Sequence, residues 1–160
     1  MHPTPKPASP LPVQPDLAAA YLLPFDRTAP RLARYAAADV LRSWGFAPSD
    51  EALLLVNEVV ANALVHGRGP IRLRLMSNGR ILLCAVVDSS PRLPRLPVPG
   101  PVGEHGRGLR IVRALAATYG WRRIPAGKIV WFTYVLVQAT PEAERVFELD
   151  DGILPSAVRR

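Results

Sequence analysis

The sequence has a single cysteine, Cys84, set inside an apolar run. One thiol cannot close an internal disulfide, so the fold must rest on its core. A lone buried cysteine also suits a reducing cytoplasm. No apolar run reaches the roughly 18 residues that a membrane helix needs. The N-terminus has no basic region followed by an apolar stretch, so no signal peptide is expected. The histidines, His2, His66 and His105, are scattered, and no Cys/His cluster has metal-ligand spacing. Acidic residues are outnumbered, giving a formal charge of +7 with arginine far ahead of lysine. That balance admits nucleic acid, an acidic protein or a phosphorylated ligand as partner. The arginines are dispersed, however, and no ladder of aromatics runs between them, which argues against a nucleic-acid binder.

A chain of 160 residues allows one domain with a real core. Pro3, Pro5, Pro7, Pro10, Pro12 and Pro15 mark residues 1–19 as a disordered tail. The domain is expected over residues 20–138. Residues 139–160 read as a C-terminal extension with a short helix-forming stretch at 141–148. Within the domain, Ala20 to Pro24 reads as a short edge strand, because proline is tolerated only at edges. A helix is expected from Pro30 to about Trp44, stopped by Gly45. A second opens at Ser49 or Asp50, either of which can cap it, and ends at Gly67 and Gly69. Ile71 to Leu75 alternates with period two. Asn78-Gly79 then signals a two-residue hairpin into Ile81–Val87, apolar throughout and therefore central. Residues 89–106 form an irregular stretch rich in proline, longer than a plain connector and more in keeping with a lid or binding loop. A third helix is read from Leu109 to about Tyr119. Two strands follow, Trp121–Ile124 and Lys128 to about Val137, with a turn at Pro125-Ala126-Gly127.

The second helix carries the first functional signal. Plotted at 100° per residue, Leu53, Leu54, Leu55, Val56, Val59, Val60, Leu64 and Val65 cover most of its circumference, so it is expected to be largely buried. Glu58 and Asn62 nevertheless share one stripe, four residues apart. A carboxylate and an amide inside an apolar helix are costly unless something meets them. On this helix alone, polar core residues satisfied within the protein explain the pattern as well as a ligand does. Two further features stand beside it. Asp88 ends the central strand, and the glycines of Gly103-Glu104-His105-Gly106-Arg107-Gly108 open the third helix. Glycines there let backbone N–H groups approach an anion at a helix N-terminus. The run is neither a P-loop, since no Gly-Lys-Ser/Thr follows, nor a dinucleotide fingerprint, since it follows a long loop rather than a strand.

Taken in order, these residues resemble a known family. Asn57-Glu58-Val59-Val60-Ala61-Asn62-Ala63-Leu64-Val65-His66-Gly67 is similar to the N box of the histidine-kinase-like ATPases with the Bergerat fold. Val87-Asp88-Ser89-Ser90-Pro91 resembles their first glycine box, and Gly103 to Leu109 their second. The ending Gly127-Lys128-Ile129-Val130-Trp131-Phe132 fits as well. The nearest likeness is to bacterial anti-sigma-factor serine/threonine kinases and related stand-alone ATP-binding regulators of actinobacteria. The resemblance implies an α+β two-layer sandwich, with about three helices on one face of a mixed, mostly antiparallel sheet. It implies ATP and Mg²⁺ as cofactors. Glu58 would activate the attacking hydroxyl, Asn62 would hold Mg²⁺ and Asp88 would accept from the adenine amino group. Gly103, Gly106, Arg107, Gly108 and Leu109 would wrap the phosphates. It also implies a sigma factor and an anti-anti-sigma protein of the STAS type as partners, and it admits a homodimer. A nucleotide-gated binding module with little kinase activity uses the same motifs. Ser90 departs from the family pattern, which usually has glycine there. His66 reads as a helix-end residue, and His105 and Arg107 are open between ligand contact and solvent.

Overall fold

The computed structural model describes residues 16–94 and 107–139. Those residues form β1 (Leu17–Leu23), α1 (Ala29–Ser43), α2 (Asp50–His66), β2 (Ile71–Ser77), β3 (Ile81–Asp88), α3 (Arg107–Leu115), β4 (Thr118–Ile124) and β5 (Gly127–Val135). The five strands lie in the order β1-β2-β3-β5-β4, and all four pairings are antiparallel. The expected mixed sheet is therefore an antiparallel one among the described residues. Three helices pack on it to make an α+β two-layer sandwich.

Local chemistry explains most of the boundaries. Ser49 caps α2, its Oγ accepting from the Ala52 N–H at 3.1 Å, and Asp50 and Glu51 suit the helix's positive end. Gly45 follows α1 with φ 82°, a left-handed conformation that glycine adopts without a Cβ penalty. The Asn78-Gly79 turn is wider than the sequence implied. Ser77 pairs with Leu82, and Asn78 Oδ1 accepts from the N–H groups of Arg80 and Ile81 at 3.1 and 2.8 Å. That side chain supplies the turn's hydrogen bonds in place of a tight two-residue closure.

Two expectations shift. β1 begins at Leu17, earlier than the Ala20 read from the sequence, because the whole segment is paired to β2. The helix read to Tyr119 ends at Leu115. Thr118 and Tyr119 belong to β4, paired with Thr133 and Phe132. Sheet pairing overrides the helical spacing of the alanines there.

The core lies between helices and sheet. Leu55, Val56, Val59 and Val60 of α2 meet Leu73 and Leu75 of β2, Leu82, Cys84 and Val86 of β3, and Phe132 of β5, all fully buried. Each such aliphatic or aromatic side chain contributes roughly 1.5–3 kcal/mol by leaving water. Burial pushes the Cys84 thiol far above its ordinary range, so it stays a neutral apolar filler. On the opposite sheet face a smaller cluster of Leu83, Ala85 and Trp131 packs. The indole lies where a side chain on Gly120 would have to be. The 141–148 helix, the proline-rich tail up to residue 15 and residues 95–106 lie outside the described residues.

Candidate functional site

The sequence treated α2 as apolar all round. The structure opens one side of it. Leu54 and Val65 are 38% and 62% exposed, whereas Leu55, Val56, Val59 and Val60 are sealed. At 3.6 residues per turn Leu54, Glu58, Ala61, Asn62 and Val65 share one stripe, turned away from the sheet. Glu58 and Asn62 therefore stand on the helix's open side, half-buried, rather than inside its apolar wrap. For Glu58 the cost is smaller than the sequence implied, and so is its need of an internal partner.

Glu58 Oε1 accepts from Asn57 Nδ2 at 3.3 Å, a long bond within the same turn. The other oxygen faces α3. A Cβ added at Gly108 would come within 2.6 Å of Glu58 Oε2. Glycine at the second position of α3 thus lets the first turn of that helix close on the carboxylate. The first N–H groups of a helix have no partner inside it and carry its positive end. Arg107 beside them is exposed. Leu109 is buried, so its side chain anchors α3 and only its backbone remains for a ligand. Asn62 Nδ2 is a buried atom with no hydrogen-bond partner among the described residues. An orphaned buried amide in a native fold marks a place where something else binds.

Asp88 lies at the C-terminal ends of α2 and β3. Its Oδ1 accepts from the Ser90 N–H at 2.8 Å and from Lys128 Nζ at 2.9 Å; the Arg68 N–H is farther, at 3.4 Å. Lys128 sits directly opposite Asp88 in the β3–β5 register. Two glycines make room for the group. A Cβ at Gly67 would meet the Asp88 carboxylate at 2.6 Å, and one at Gly127, where φ is 140°, would meet the Asp88 carbonyl oxygen. Ser90, where the sequence departs from the expected glycine, does not disturb this arrangement. It is buried, its N–H holds Asp88, and its Oγ accepts from the Arg92 N–H at 3.3 Å.

Glu58 thus faces Gly108, with Leu109 next to it, across the α2–α3 contact; Asn62 lies about one turn further along α2, and Asp88 closes β3 beside the end of α2. Gly103, Gly106 and His105 lie outside the described residues. His66, the last residue of α2, is exposed. Sequence reasoning quoted Lys128 without giving it a role. The available signal was a lysine within an apolar strand pattern, a residue type almost never fully buried unless paired.

An α+β sandwich with a polar helix stripe facing a glycine-opened helix, and an aspartate closing the central strand, has the architecture of the Bergerat class. The sequence pattern of the histidine kinase-like ATPase domain matches residues 23–134, and the chain belongs to that family. Membership implies ATP as ligand. No curated protein matches the chain in sequence. No described helix is long and apolar enough to cross a membrane.

Proposed function

We propose that the protein is an ATP-dependent serine/threonine protein kinase of the anti-sigma-factor type, acting in the cytoplasm on an anti-anti-sigma protein and binding a sigma factor. The observation that carries the reading is the approach of α3 to Glu58. It sets an acceptor carboxylate beside a helix N-terminus, where a terminal phosphate and an attacking hydroxyl would meet. Glu58 takes the hydroxyl proton, and the N-terminal N–H groups of α3 hold the phosphate oxygens as charge moves onto them. Asp88 accepts from the base amino group at the other end of the pocket.

The residues fit a magnesium ion. Asn62 is oriented by no described partner, and its amide oxygen, with phosphate oxygens and water, meets the hard-oxygen preference of Mg²⁺, which needs few protein ligands. Bound there, Mg²⁺ would neutralise phosphate charge. The net charge of +7 agrees with an acidic protein partner or a phosphorylated ligand.

Incubation with labelled ATP, Mg²⁺ and candidate anti-anti-sigma proteins, read by mass spectrometry, tests the reading. Phosphate on a partner serine or threonine is the expected result. Sigma-factor binding that depends on nucleotide, with no phosphate transferred to any partner, would replace it with a nucleotide-gated binding module.

A further inference from the structure

Lys128 and Asp88 form a salt bridge whose side chains are 0% and 1% exposed, with Nζ 2.8 Å from Oδ2 and 2.9 Å from Oδ1. The two distances are nearly equal, but the two oxygens are not equivalent. Oδ1 is crowded by the Ser90 N–H and the lysine's directed hydrogen bond. Oδ2 is in charge contact with Nζ but receives no hydrogen bond of acceptable geometry among the described residues. A carboxylate has about four acceptor sites, and here Oδ2, with only the Nζ contact, keeps acceptor capacity to spare. A buried ion pair is weak evidence for stability, since an apolar pair of similar volume often does as well. Its retention beside an unused acceptor calls for another explanation.

The geometry points to Lys128 as a positioning residue that sets base selectivity: it pins Asp88 so that the free Oδ2 lone pair meets a 6-amino group on a purine. The inference rests on the nucleotide reading of the site. Lys128 reaches Asp88 from the neighbouring strand, at fixed register, while Ser90 holds the same carboxylate from its own loop. Lys128 touches both oxygens and the Ser90 N–H only Oδ1, so a rotation that exchanged the two oxygens would give up the Ser90 bond to the charged group. The carboxylate is therefore presented one way round, with Oδ2 the oxygen that keeps spare acceptor capacity.

The test uses two probes on the full chain, ATP and purine riboside 5′-triphosphate, which lacks only the 6-amino group. A hydrogen bond to a charged acceptor gives wild type roughly a ten- to hundredfold preference for ATP. In Lys128→Met that ratio is expected to fall to within about twofold of unity, while triphosphate-dependent binding persists. A merely structural role would weaken both nucleotides alike and leave the ratio unchanged, which would overturn the proposal. So would equal binding of the two by wild type, although the nucleotide site itself would then stand. Binding of neither probe by wild type removes the nucleotide reading as well. A second measurement needs no variant. The chain has two lysines, Lys6 and Lys128, so ¹⁵N-lysine labelling isolates the buried ammonium. Its resonance should shift with ATP and stay in place with the purine analogue; equal shifts, or none with either, sink the idea even if Lys128→Met does not fold.

Discussion

Two polar groups along α2 are built on opposite principles. At the Asp88 end a charge is sealed, matched by Lys128, gripped by backbone N–H groups and hemmed by Gly67 and Gly127. On the Glu58–Asn62 stripe a carboxylate has one long hydrogen bond, and an amide nitrogen has no partner among the described residues. The first arrangement fixes one orientation. The second leaves charge and hydrogen-bonding capacity unspent for chemistry. Under the proposed function the first would recognise a base and the second would serve phosphoryl transfer, and the two arrangements differ accordingly.

That contrast is sharpest in the expected effect of Glu58→Gln. The variant keeps the shape and removes the base, so phosphoryl transfer should fall roughly 10²–10⁴-fold with nucleotide affinity near wild type. Quench-flow transfer assays beside calorimetry check it; retained transfer would make the carboxylate structural. Next in size is Lys128→Met. One partner removed from a buried pair leaves an unpaired carboxylate and should cost about 3–5 kcal/mol in denaturant unfolding. The double variant Asp88→Asn, Lys128→Met should recover much of that loss, and a double variant no more stable than the single one would contradict the pairing. Asn62→Ala should behave the opposite way. It removes an unsatisfied buried amide, so stability should change by less than about 1 kcal/mol, while Mg²⁺-dependent ATP binding weakens. A large loss of stability with unchanged affinity would turn Asn62 into an ordinary core residue.

The smallest effect lies away from the site. Asp26 Oδ1 accepts from the Thr28 hydroxyl and from its N–H, and these bonds hold its carboxyl below the ordinary aspartate range. A depressed folded value means the contribution is full above the unfolded pKa and is lost as pH falls through the lower folded one. Asp26→Asn should therefore flatten the acid limb of the stability–pH curve slightly and leave ATP binding alone.

Much of this was legible in the sequence because it is local chemistry. The Ser49 cap, the Gly45 stop, the central apolar strand ending in Asp88 and the helix stripe joining Glu58 to Asn62 all follow from neighbours a few residues apart. What was not legible depends on pairing across the sheet. Apolar counting put Leu54 and Val65 in the core, but among the described residues both stay exposed, at either end of a stripe that α3 covers at Glu58. Helical spacing carried the third helix on to Tyr119, and only the partner strand β5 reveals Thr118 and Tyr119 as strand. Lys128 gains its meaning from standing opposite Asp88, forty positions away in the chain.

At its other end α2 is fastened too. Ser49 Oγ donates to the Tyr134 hydroxyl at 3.1 Å, and that hydroxyl donates to Glu51 Oε2 at 2.9 Å. Tyr134 and Lys128 both belong to β5, so one strand reaches α2's capped start through Tyr134 and the carboxylate beside its far end through Lys128. The helix is thus strung like a beam between two brackets on a single rail, and a load at either end returns to the same strand. Among the described residues α3 packs chiefly on α2 and β4. α3 bears on this beam at one point in particular, where Gly108 lets its first turn close on Glu58.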